Sequence, residues 1–169
     1  MSGRPSAPSV TITLTRYAEP DELVSQAIAG ALQQEGVCGE ILFFDQNVAS
    51  TLSAGDFAPG NLELKIVRGP MRSLSDARNA AIDQAGHDTI LFLDSDAVPE
   101  PGWAMAMAET LENPKCAVAG SRIEPGWPAP PPPFAKARAL LDQYSLLDLG
   151  HEQRVVQKVV GAGFGMDRA

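Results

Sequence analysis

Ile90-Leu91-Phe92-Leu93 is an unbroken apolar run that ends on Asp94-Ser95-Asp96. A strand that is apolar on both faces needs cover on both faces, which confines it to a sheet layered between helices. His87–Leu93 therefore reads as a central strand, and the acids mark where it leaves the sheet. Side chains at i and i+2 of a strand share a face, so the two carboxylates point the same way. Like charges that close raise each other's pKa unless a cation sits beside them. Oxygen donors of this kind suit Mg²⁺ or Mn²⁺, ions usually shared with phosphate oxygens. The run thus predicts a metal–diphosphate site at a strand end.

The rest of the chain repeats the strand–helix alternation. Val10–Leu14 is β-rich, and Pro20 suits the first turn of a helix that carries Leu23, Ala27, Ile28, Ala31 and Leu32 at helical spacing. Gly36 marks the close of that helix. Glu40–Phe44 is a second strand ending at Asp45, and Asn61–Val67 a third with alternating Leu62, Leu64 and Ile66. Ser73 and Ser75 are candidate N-caps for a helix through Ala85, closed by Gly86. Pro99–Glu112 reads as helix, Cys116–Gly120 as strand and Phe134–Leu141 as a short helix. Such alternation gives a mostly parallel α/β sheet flanked by helices, with right-handed crossovers. Asp45 and Asp94 each follow a strand's C-terminal end, where open α/β sheets place their ligand crevice. Trp127-Pro128-Ala129-Pro130-Pro131-Pro132-Pro133-Phe134 is a stiff extended segment, read either as a rigid connector or as a lid or acceptor wall with Trp127 and Phe134 as apolar platforms.

Composition narrows the function classes. The 169 residues make one domain of ordinary soluble composition, 44% apolar and 20% charged. Thirteen basic against 21 acidic residues leave a net charge of −8, which argues against a nucleic-acid partner. No apolar run approaches the roughly 20 residues a transmembrane helix needs. Residues 1–9 read as a flexible tail without the apolar core of a signal peptide. Cys38 and Cys116 fit reduced, partly buried thiols in a cytoplasmic protein, and His87 and His151 fit surface positions rather than ligands.

Ser73-Leu74-Ser75-Asp76-Ala77-Arg78-Asn79-Ala80-Ala81-Ile82, followed by the strand ending in Asp94-Ser95-Asp96, resembles the core of family 2 glycosyltransferases. Val98-Pro99-Glu100-Pro101-Gly102-Trp103 and Val160-Gly161-Ala162-Gly163-Phe164-Gly165-Met166-Asp167-Arg168 resemble that family's continuation and its "G-A-x-x-x-x-R" strand. The resemblance implies a GT-A nucleotide-diphospho-sugar transferase fold over residues 10–169, with a nucleotide-diphospho-sugar donor of UDP or GDP type. It also implies an acceptor hydroxyl on a glycan, lipid or small molecule, inversion at the sugar carbon, and Mg²⁺ or Mn²⁺ as cofactor. With a lipid-linked acceptor the protein would sit peripherally at the inner membrane face, although no basic amphipathic helix supports this.

Carried over by position, Asp45 matches the acid that contacts the nucleotide base, and Arg78 the helix arginine near base and diphosphate. Asp94 and Asp96 form the Asp-x-Asp metal motif around Ser95, with Asp96 the direct ligand and Asp94 on ribose or metal. Thr15 and Glu19 fall in the first strand–helix loop, where the family's Pro-Thr-Tyr-Asn reads Thr-Arg-Tyr-Ala. The family's base, an Asp in a Glu-Asp pair, comes some tens of residues after the "G-A-x-x-x-x-R" strand and has no match in these residues. Asp142, Asp148 and Glu152 precede that strand, and Asp167 lies inside it. The expectation is therefore a donor-binding front half truncated at its C-terminal end. Two alternatives stand beside it. One is a non-catalytic nucleotide-sugar-binding module or subunit. The other is a haloacid-dehalogenase-type phosphatase, in which Asp94 would be the nucleophile and Asp96 the acid–base; three strands before the motif speak against it.

Overall fold

The computed structural model describes residues 7–71, 73–127, 129–131, 133–136, 148–150 and 152–168. Six strands form one sheet: β1 (Ser9–Arg16), β2 (Cys38–Asp45), β3 (Leu62–Arg68), β4 (Thr89–Asp94), β5 (Val118–Gly120) and β6 (Gly163–Asp167). Their order across the sheet is β3-β2-β1-β4-β6-β5. The first four run parallel, while β6 pairs antiparallel with both β4 and β5. The mostly parallel α/β architecture is as the strand–helix alternation predicts, with α1 (Asp21–Leu32), α2 (Leu74–Gln84) and α3 (Trp103–Leu111) as its helices.

Two apolar layers explain the burial of the central strands. One face of β1, β2 and β4 packs with Val24, Ala27, Ile28, Ala31 and Leu32 of α1 and with Ala104, Met107, Ala108 and Leu111 of α3. The other face gathers Leu42, Phe44, Ile90 and Phe92 with Ala81 of α2 and Ala85 just past its end. Ile90, Leu91, Phe92 and Leu93 are all buried, as a strand covered on both sides requires.

Several boundaries move for identifiable reasons. β1 begins at Ser9, inside the expected 1–9 tail, because the Pro8 carbonyl already accepts the Cys38 N–H. Leu23 is 43% exposed, and Val24 takes its place on the packing face, four residues before Ile28. Helix α3 starts at Trp103 rather than Pro99, since Gly102 is left-handed at φ +81°. Gly102 has no side chain to cap the helix, so buried Gln34, just past α1, accepts the Ala104 N–H at 2.9 Å and donates to the Glu100 carbonyl at 3.1 Å. Cys38 is exposed rather than partly buried, at the solvent end of β2, and both cysteines are free. Trp127 and Phe134 are exposed, and Pro133–Lys136 form a short 3₁₀ turn. The rest of the expected Phe134–Leu141 helix, Asp142 and His151 lie outside the described residues. No helix among the described residues is long and apolar enough to cross a membrane.

Candidate active site

The C-terminal ends of the parallel strands bring polar residues into a row. Register pairs Arg68 with Asp45, Asp45 with Arg16, and Thr15 with Asp94. The row divides between opposite faces: Asp45, Arg16 and Arg68 continue the face packed by α1, and Thr15 and Asp94 the face packed by α2.

One end of the row is acidic and open. Asp94 ends β4, and its side chain is 40% exposed; Asp96 is exposed and Ser95 between them is buried. The Ala97 N–H donates to the Asp94 carbonyl at 3.1 Å, so the motif is a tight turn directly off the strand. Helix α2 delivers Arg78 to the same place. Ser73 caps that helix, its hydroxyl accepting the Asp76 N–H at 3.1 Å, and buried Ala77 sets the helix against the sheet. Arg78 Nη2 lies 3.5 Å from Asp94 Oδ1 and donates to the Gly161 carbonyl at 3.2 Å. Its guanidinium also sits over the Phe164 ring, 5.4 Å from the centroid, and Phe164 stacks on Phe92 at 4.5 Å. Three elements, β4, β6 and the loop before β6, thus fix one cation beside the acids.

Electrostatics mark this end as short of positive charge. Burial pushes the Asp94 carboxyl above the ordinary aspartate value, and the Asp96 and Glu19 charges push it further, against the pull of Arg78. Glu19 comes from the loop after β1, where its carboxylate accepts the Tyr17 and Ala18 N–H groups at 2.8 and 3.1 Å. Thr15 is half-buried beside Asp94 in register. Among the described residues no group of three His, Cys, Asp or Glu side chains surrounds one ion position. A divalent ion here would rest on Asp94 and Asp96 and complete its shell with water and ligand oxygens, the usual manner of Mg²⁺.

The other end of the row is closed around Asp45, whose side chain has no exposed surface. Its Oδ1 accepts the Asn47 N–H at 3.1 Å and lies 3.9 Å from Arg16, while its Oδ2 accepts from Arg68 Nη1 at 3.2 Å. Arg16, 1% exposed, also pairs with Asp21 at 2.5 Å and donates to Ser50 at 3.2 Å. Of the predicted site residues, then, Glu19, Arg78, Asp94 and Asp96 interact, Thr15 lies next to Asp94 along the edge, and Asp45 is held apart in an ion-pair network. Arg16, Arg68 and Phe164 are site-edge residues that sequence reasoning missed. The two arginines could have been found as polar residues closing apolar strands, the signal that singled out Asp45 and Asp94.

Residues 12–166 match the family described as glycosyl transferase family 2. No curated protein matches the chain. Among solved structures, residues 1–349 of TarS from S. aureus align at a TM-score of 0.57 and 15% identity, over 76% of this chain and 40% of that one. The mannosyltransferase PcManGT from Pyrobaculum calidifontis, solved with GDP-Man and Mn²⁺, aligns at a TM-score of 0.63 and 17% identity, over 99% of this chain and 46% of that one. At these identities the likeness is one of fold. The chain spans less than half the length of either structure.

Proposed function

The chain belongs to glycosyl transferase family 2, and from that premise we propose that its acidic strand edge binds the diphosphate of a nucleotide-sugar donor and presents the sugar to an acceptor hydroxyl. The observation that carries this reading is the convergence of Arg78, Asp94 and Asp96 on one open edge, with an excess of negative charge there. The same excess supports a divalent ion, Mg²⁺ or Mn²⁺, held by Asp94 and Asp96. When bound, such an ion offsets the charge that builds on the leaving diphosphate.

The chain's own residues do the remainder. Arg78, anchored by Gly161 and Phe164, keeps its donors in place for the diphosphate oxygens, so no reorganisation is needed as charge develops. Its pairing with Asp94 keeps both groups oriented before the donor arrives. Glu19 and Thr15 wall the nucleotide side of the edge. Inversion, with a carboxylate base taking the proton from the acceptor hydroxyl, follows from the family resemblance, and that base is assigned to none of these residues.

The test is nucleoside diphosphate release from UDP-, GDP- and dTDP-sugars with Mn²⁺. Metal-dependent release by the wild type, abolished in Asp96→Asn, is the expected result. Metal-dependent binding with no release in the presence of any acceptor would favour the non-catalytic binding module. Release that persists without metal and in Asp96→Asn would refute the assignment of the edge.

A further inference from the structure

The Asp94–Ala97 turn is tied to the sheet at its entry, where the Asp94 N–H donates to the Ala162 carbonyl at 3.3 Å. Its exit is held by helix α1. Asp96 is exposed, and among the described residues no hydrogen bond holds its carboxylate. Where that carboxylate stands therefore depends on the backbone leaving the turn. Val98 and Pro99 lie against Gly30 of α1, so closely that a methyl group there would meet Val98 Cγ1 and Pro99 Cδ each at 3.0 Å. Glycine weakens the interior of a helix, and this close approach is what the missing side chain permits. One helical turn later, buried Gln34 donates from Nε2 to the Gly30 carbonyl at 3.2 Å and to the Glu100 carbonyl at 3.1 Å. Its Oε1 accepts the Ala104 N–H at 2.9 Å, so both donors and the acceptor of the amide are used.

We infer that Gly30 and Gln34 are positioning residues for the metal turn: they fix where Asp96 stands, although neither reaches the ion or the donor. This rests on the donor-site reading above. Asp96 is suspended between two pinned points, Asp94 on β4 and the Val98–Glu100 segment on α1. A site with two protein carboxylates draws the rest of its shell from water and ligand oxygens, so displacing one of the two removes much of what the protein supplies. The partners that orient a metal ligand accordingly govern affinity without touching the metal. In Gly30→Ala the exposed Val98 side chain is free to turn away from the new methyl. Pro99 is not, because its ring closes on its own backbone nitrogen. The required give of a few tenths of an ångström therefore passes into the chain, three residues from Asp96. Gln34→Met keeps an apolar stem of similar length but releases the Glu100 carbonyl and leaves the Ala104 N–H unpaired.

The experiment is a Mn²⁺ titration at fixed UDP or GDP, read by water-proton relaxation, with a thermal melt of each protein. The proteins are the wild type, Gly30→Ala, Gln34→Met, Asp96→Asn and Glu40→Ala. Gly30→Ala is expected to weaken Mn²⁺ binding by about tenfold, the loss seen when a group that orients a metal ligand is altered. Its Tm should hold within about 3 °C, since alanine favours the helix and offsets the crowding. Gln34→Met should weaken Mn²⁺ binding by a similar factor and also lower Tm. Glu40→Ala, near the start of β2, should lower Tm and leave Mn²⁺ affinity unchanged, which separates positioning from general destabilisation. If Gln34→Met fails to fold, Gly30→Ala carries the test. Wild-type Mn²⁺ affinity in Gly30→Ala, beside its loss in Asp96→Asn, overturns the role of α1 and leaves the donor site standing. Absence of Mn²⁺ binding by folded wild type with either nucleotide overturns the donor site itself, and this inference with it.

Discussion

Replacing Glu40 should damage the fold and spare the site. Glu40 lies near the start of β2, at the end of the sheet away from the Asp94 edge, and is only 5% exposed. Its Oε1 accepts the Thr11 hydroxyl at 3.0 Å and the Gly86 N–H at 2.6 Å, and its Oε2 accepts Lys65 Nζ at 2.8 Å. One carboxylate thus joins β1, β3 and the turn after α2. In Glu40→Ala the Thr11 hydroxyl, itself buried, loses its partner, which costs about 1.5 kcal/mol. The half-exposed Gly86 contact adds about 1 kcal/mol. Lys65 is 47% exposed, so its ion pair is worth only about 0.5 kcal/mol. The total of about 3 kcal/mol corresponds to a fall in Tm of roughly 6–12 °C for a domain of this size. pH supplies an independent check. Burial pushes the Glu40 carboxyl up, but Lys65, the Gly86 N–H and Thr11 together more than reverse this and hold it below the ordinary value of 4.5. A depressed carboxyl stabilises the fold above its unfolded pKa, and that contribution disappears as pH falls through the folded value. Thermal melts at pH 7 should therefore show the full loss in Glu40→Ala, and melts below about pH 4 a smaller one. A change under about 1 kcal/mol at pH 7, or a deficit unaltered by acid, would refute this account of the cluster.

Three further substitutions probe the elements that build the site. Ser73→Ala removes the cap that starts α2 and should cost about 1 kcal/mol by thermal melt, with faster amide exchange in the first turn before Arg78. Asp94→Asn should raise Tm at neutral pH in metal-free buffer: a carboxyl with a raised folded pKa destabilises the fold once ionised, and the amide removes that term. The same variant should weaken Mn²⁺-dependent nucleotide binding by at least about tenfold, or about 1.4 kcal/mol. Gly161→Ala places a methyl 3.1 Å from Arg78 Nη2, so it should leave Tm nearly unchanged while reducing nucleotide affinity, read by calorimetry.

The sheet was legible because its signals were local and redundant. Apolar runs such as Ile90–Leu93 and Ile41–Phe44 each needed cover on both faces, and each ended on an acid. The meeting of Arg78 with Asp94 was legible since a helix start and a strand end adjoin in any such sheet. What escaped depended on contacts distant in sequence. The fate of Asp45 is decided by Arg68, 23 residues later, and by Arg16 on the neighbouring strand. The anchoring of Arg78 by Gly161 joins residues 83 apart, across the antiparallel return of β6. Helix α3 began late because the backbone at Gly102 is left-handed, a property that glycine permits and does not announce.

The central claim is a metal-dependent nucleotide site at the Arg78–Asp94–Asp96 edge. Calorimetric titration of UDP, GDP and dTDP, with and without Mn²⁺, on the wild type and on Asp96→Asn tests it most directly. The account predicts binding of at least one nucleotide that requires Mn²⁺ and is lost in the variant. Equal affinity with and without Mn²⁺, or equal affinity in Asp96→Asn, would contradict it.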